Sequence, residues 1–233
     1  MWFALAQIEE GAKSIDLRPA LTIAAVVAAI GIGGASMLWA GRRREIRFFR
    51  RLREERGFAR IYDSEELTAI GETIRRLFAE LRMVVRQVRV VRVYRAPSGL
   101  REATVVHARL GLDRGNQDSQ SLDKVILLLR GFSEPLPEFV LLPGGTAGER
   151  IEKGGIFPPV SLFSKHNTVV GADPPAIRSL LNAKVQDRLI PNRDMVIRGG
   201  VDALAFYAHG TRILPHDGWD FFARCLALSK LMQ

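Results

Sequence analysis

The sequence predicts an α+β fold: one N-terminal transmembrane helix, a basic juxtamembrane helix, then a single mixed or antiparallel sheet domain with two to three packed helices. Three observations predict it. Pro19 to Ala40 is a run of 22 residues without a charge, closed by Arg42, Arg43 and Arg44. At 1.5 Å per residue such a helix is roughly 33 Å long, enough for the hydrocarbon core of a bilayer. Beyond it, helix-period segments and β-branched segments follow one another with turn signals between them.

The boundaries expected are a short extracytoplasmic tail over 1–18, the span over 19–41, arginine-rich juxtamembrane helices over 42–82 and a cytoplasmic α+β domain over 83–233. Orientation follows from the arginines. Arg42, Arg43, Arg44, Arg47, Arg50 and Arg51 follow the span, whereas Lys13 and Arg18 before it are outweighed by Glu9, Glu10 and Asp16. The positive-inside rule places the N-terminus outside and the domain in the cytoplasm. A cleaved signal peptide needs a basic start and a shorter apolar core, and the acidic start here argues against one. Within the span, Ala25, Ala29 and Gly33 recur every four positions, the spacing that lets a second helix approach closely in lipid. Trp2 and Trp39 suit anchoring at the two interfaces.

Charge is concentrated. Residues 42–101 hold 17 arginines, no lysine and 8 acids, and so carry the whole of the formal net charge of +9. Such a segment attracts anionic lipid headgroups, at about 1 kcal/mol per basic residue, or an acidic partner. A nucleic-acid role is not expected from an arginine cluster beside a membrane span. The single cysteine, Cys225, excludes an internal disulfide and reads as a buried helix residue.

The elements read in order as follows. Residues 42–56 form a basic helix with Ile46, Phe49 and Leu52 on one side, stopped at Gly57. Asp63 and Glu66 resemble a capping box, opening an amphipathic helix over 64–82 through Leu67, Ile70, Ile74, Leu77 and Leu81. Val84 to Val93 is too β-branched for a helix and reads as a strand. Its arginines at 86, 89, 92 and 95 recur every three residues, which neither period fits, so a bulge is expected. Ala96 to Gly99 is a turn, and Glu102 to Leu112 is the returning strand. Val125 to Leu129 reads as a central strand, Phe139 to Leu142 as another, Gly144 to Pro159 as a long loop and Thr168 to Val170 as a short strand. Pro174 and Pro175 open one helix through to Leu189. Met195 to Arg198 and Ala203 to Tyr207 form a hairpin, and a last helix begins after Pro215 and Asp217.

The segments "PEFVLLP", "VVGADPPAIRSLL" and "ALAFYAHGTRILPHDGWDFFARCLAL", in that order, resemble a group of bacterial membrane-anchored proteins that pair one or two N-terminal spans with a cytoplasmic α+β domain of unknown function. The resemblance covers about residues 123–232 and departs at "SKHNTVV". It implies a bacterial inner-membrane protein and no particular activity.

Catalytic signatures are not found. His107, His166, His209 and His216 lack the spacing that sets metal ligands on one helix face. "GGTAGER" lacks the lysine and hydroxyl of a phosphate loop. His216, Asp217 and Asp220 read as helix N-capping sequence. No catalytic, cofactor-binding or metal-binding residue is therefore expected, and no cofactor. The expectation is a non-catalytic single-pass accessory subunit that docks onto a larger membrane protein complex, by analogy with the one-helix subunits of respiratory and photosynthetic complexes. Its partners would be other membrane subunits and anionic headgroups. The alternatives are a membrane-tethered enzyme using His166 or His216 as base, and an anionic-lipid or acidic-ligand-binding module.

Overall fold

A computed structural model describes residues 28, 39–40, 42–79, 84–96, 102–113, 120–144, 156–157, 161–200, 202–210 and 218–232. The chain divides into two compact units, Met1–Arg47 and Phe48–Gln233. In the first, the described residues are helical, the Arg43 guanidinium carbon lies 3.5 Å from the centroid of the Trp39 ring, and Ile46 is exposed. The predicted span lies outside the described residues except for Ala28, Trp39 and Ala40, as do Trp2, Ala25, Ala29 and Gly33. Among the described residues no helix is long and apolar enough to cross a membrane.

The second unit is α+β. Helical residues 42–56 straddle the division, and their part in this unit, 48–56, is α1. It is followed by β1 (Ala59–Ile61), α2 (Ser64–Ala79), β2 (Val84–Arg95), β3 (Ala103–Asp113), β4 (Gln120–Arg130), β5 (Phe139–Pro143), α3 (Leu162–His166), β6 (Asn167–Gly171), α4 (Pro174–Leu180), α5 (Ala183–Leu189), β7 (Met195–Gly200), β8 (Ala203–Ala208) and α6 (Gly218–Ser229). The strands form one sheet in the order β1-β2-β3-β4-β8-β7-β5-β6, with every neighbouring pair antiparallel.

Both faces of the sheet are covered over Val125 to Leu129 of β4, which explains why that stretch reads as an unbroken apolar run. Val125, Leu127 and Leu129 point into a core with α1, α3, α4, α5 and α6, here the first face. Ile126 and Leu128 point into a second core with Ile70, Ile74, Leu77 and Phe78 of α2, the second face. Successive residues of a strand point to opposite sides, so a strand buried on both faces must be apolar throughout.

The three-residue arginine spacing of β2 is resolved by register. The pairing with β3 shifts between Val85 and Gln87 and again between Val90 and Arg92. The second bulge absorbs Val91, so Arg89 and Arg92 point to the first face although three positions apart. Arg95, beyond the bulge, points to the second face and pairs with Glu66 of α2.

Helix ends follow local chemistry. Gly57 at φ 67° closes α1 and donates its N–H to the Arg53 carbonyl at 3.1 Å. Asp63 accepts the Glu66 N–H at 2.8 Å and caps α2. Three sequence expectations are corrected. Among the described residues the domain over 83–233 holds four helices, α3 to α6, against the two to three expected, because α3, capped by Ser161, is too short to show a period and because the segment from Pro174 to Leu189 is divided. The single helix expected from Pro174 to Leu189 is two: Leu181 leaves helical geometry at φ −90°, ψ 52°, and the Asn182 side chain caps α5 through the Val185 N–H. The apolar side of the basic helix is Phe48, Phe49 and Leu52, with Ile46 exposed and in the other unit.

Candidate docking face

The sequence-predicted contact residues that belong to the folded unit, Arg50 and Arg51, lie on α1. Phe48, Phe49 and Leu52 fall on one side of this helix and are buried in the first-face core. Phe48 packs edge-on against Phe49 and Phe222, at 5.3 and 5.9 Å between ring centroids, and Phe49 stacks on Tyr94 at 5.0 Å. With that stripe held by the sheet and by α6, Arg50, Arg51, Arg53 and Arg56 are all exposed. Arg42, Arg43 and Arg47 are exposed and Arg44 half-buried in the first unit.

Charge on α1 is only partly compensated. Arg51 pairs with Glu55 at 3.0 Å and Arg53 with Glu54 at 3.4 Å. Among the described residues no carboxylate pairs with Arg50 or Arg56. The guanidinium carbons of Arg51 and Arg56 each lie 5.7 Å from the centroid of Trp219, which α6 sets beside α1. Exposed ion pairs on a helix hold little energy, so these arginines are available to a stronger anion.

The same side of the sheet continues the basic character. Arg92 lies over the Phe49 ring at 5.7 Å and His107 stacks on that ring at 6.3 Å. His107 Nε2 is 3.9 Å from Asp123 Oδ1, and Asp123 accepts two hydrogen bonds from Arg109, at 2.8 and 3.0 Å. That bidentate pair holds the Arg109 guanidinium above its ordinary pKa. The sequence marks Arg89 and Arg92 by their three-residue spacing and counts them in the basic segment over 42–101, but that spacing hides which side of the sheet they share until the bulge is located.

Two other polar groups are buried on the second face. The guanidinium of Arg198 donates to Tyr207 Oη and to the Leu77 carbonyl, both at 2.9 Å, and lies 4.3 Å from the Phe78 centroid. Lys124 donates to the carbonyls of Ala208, at 2.9 Å, and Gly210. Burial lowers the Lys124 pKa to about 8, and burial raises that of Tyr207 against the opposing pull of Arg198. Leu77 lies in the last turn of α2, so Arg198 supplies a cationic donor to a helix C-terminus from a distant strand. This arrangement ties α2 to the sheet.

Little else invites chemistry. His166 Nε2 lies 3.5 Å from an Arg193 nitrogen, His209 is exposed, and His216 lies outside the described residues. Most of the glycine-rich loop over 144–159 also lies outside them. Cys225 is fully buried, and burial raises its thiol pKa well above the ordinary value, the opposite of a reactive thiolate. A cavity of about 10 Å³ beside Cys225 is lined by Phe48, Val105, Val125, Phe221 and other apolar atoms, and is barely large enough for one water. No group of three or more His, Cys, Asp or Glu able to hold a metal occurs among the described residues.

No protein family model matches the chain, and no curated protein matches it. Among solved structures it is similar to the crystal structure of the mycobacterial trehalose monomycolate transport factor A, TtfA, with a TM-score of 0.48 and 13% sequence identity. That match covers 83% of this chain and 94% of that one. Nothing about the chemistry of this chain follows from a likeness of that degree.

Proposed function

We propose that this chain is a non-catalytic, single-pass accessory subunit. Its segment from Pro19 to Ala40 anchors it in a bacterial cytoplasmic membrane with the N-terminus outside, and its folded unit docks at the cytoplasmic surface of a larger membrane protein complex. The observation that carries the reading is α1: its apolar stripe is locked into the core while Arg50, Arg51, Arg53 and Arg56 are held exposed on a rigid support. Rigid presentation lowers the ordering cost of binding, and guanidinium groups suit carboxylates and phosphates alike. The face formed by Ala25, Ala29 and Gly33 supplies the contact within lipid.

Purification from native membranes in mild detergent, followed by native-gel separation and mass spectrometry, tests the proposal. Migration in one stoichiometric assembly is the expected result; migration alone or as a small homo-oligomer would overturn it. Replacing Ala29 and Gly33 by leucine should release the chain from that assembly, and survival of the complex would remove the helix face from the proposal. Arg50→Gln with Arg51→Gln removes two surface charges from the docking face, so re-association with the complex should slow and lose part of its salt dependence.

A further inference from the structure

We propose that the open first face of β2 and β3 is a second anionic contact, on which Arg89 and Arg109 together hold the phosphate of an anionic bilayer headgroup. The folded unit then lies with its α1-bearing face toward the membrane. This inference rests on the proposed placement of the folded unit, through α1, at the cytoplasmic side of the membrane, and adds to it a sheet surface, a ligand chemistry and an orientation.

Register carries the argument. α1 covers only part of the first face, over Tyr94, Val105 and Val125, and its Phe49 ring reaches as far as His107. Farther along the same three strands Gln87, Arg89, Arg109 and Ser121 are exposed. Arg89 and Arg109 are directly opposite one another across the β2–β3 ladder. Opposed residues on neighbouring antiparallel strands have Cβ atoms about 5 Å apart, and like charges placed so repel.

Asp123 relieves Arg109 from the β4 side through Nε and Nη2, leaving Nη1 directed elsewhere. Among the described residues no carboxylate relieves Arg89. A phosphate between the two guanidinium groups removes the repulsion and accepts from both, the geometry in which arginine binds phosphate best. The bulge at Val91 turns Arg92 to this side as well, where a regular strand would have pointed it at α2. Arginines on α1 and on the sheet thus share one side of the molecule, and an extended polyanionic surface can engage both where a single small anion cannot.

The test uses the full chain in bilayer nanodiscs of phosphatidylcholine, with or without phosphatidylglycerol, doped with a headgroup-labelled nitroxide lipid. Cys225 is fully buried, so a fluorophore can be placed selectively at Gln87→Cys on the sheet face, Arg53→Cys on α1 or Ala69→Cys on the exposed side of α2. The expected result is quenching at 87 and 53 but not at 69, with the quenching at 87 dependent on phosphatidylglycerol and lost in Arg89→Glu. No quenching at 87 with quenching retained at 53 would overturn this inference and leave the α1 reading standing. No quenching at either position would overturn this inference, while the docking of α1 on a protein complex is judged separately by the native-gel migration. Quenching at 87 that is unchanged by lipid composition and by Arg89→Glu would mean apposition without phosphate binding, and would also overturn it.

Discussion

Arg198 concentrates in one side chain the cost and the benefit of burying charge. It is 1% exposed, and its neighbours are a phenol, a helix carbonyl and an aromatic face. Arg198→Ala strands the Tyr207 hydroxyl and the Leu77 carbonyl and leaves a cavity, and should cost about 3 kcal/mol. Tyr207→Phe removes a single acceptor from a charged donor and should cost about 2 kcal/mol. Chemical denaturation checks both, with a lowered midpoint at unchanged slope.

Lys124 sets a pH dependence. Its folded pKa of about 8 lies below the ordinary 10.5, so between those values the unfolded chain binds more protons and stability rises with pH. Tyr207 acts in the opposite sense. Its pKa is raised in the folded state, so above about pH 10, where exposed tyrosines ionise, stability falls again. Unfolding free energy measured against pH should rise above pH 8 in the native protein, and Lys124→Met should flatten that rise. At this scale the sequence is mute: a lysine in an apolar run looks like a strand's solvent-facing residue until the register turns it inward.

At the scale of elements, local chemistry was legible wherever it is short-range. The cap at Asp63, the stop at Gly57 and the hairpin of β7 and β8 each depend on residues within a few positions, and each was read correctly from the chain. Asp63→Ala should cost about 1 kcal/mol, seen as a lowered thermal midpoint. Elements whose form depends on a partner were read less well. Ile177, Leu181, Val185 and Leu189 all lie in the first-face core, and their four-residue spacing is also that of one unbroken helix, so the break at Leu181 does not show in the hydrophobic period. The spacing of the β2 arginines announced an irregularity, but only pairing with β3 located it.

Close packing between elements is equally invisible in advance. A Cβ on Gly199 of β7 would run into the Phe139 ring of β5 and come within 2.9 Å of the Pro137 carbonyl. Gly199→Ala should therefore destabilise the fold by about 1–3 kcal/mol through overpacking, again measurable by denaturation.

For the whole molecule, an eight-stranded antiparallel sheet with α2 on one face and the remaining helices of the folded unit on the other accounts for the distribution of apolar residues. The candidate face arises only at this level. α1, β2 and β3 are separate in sequence, and the sheet brings their arginines to one side. Composition and order by themselves determined the α+β class, the arginine concentration in residues 42–101 and most element positions, because propensity, capping and hydrophobic period act over a few residues. The strand order, the division of helices between the two faces, the burial of Arg198 and Lys124 and the shared side of Arg50, Arg89 and Arg109 were decided by the tertiary structure, because register and long-range pairing set which way each side chain points.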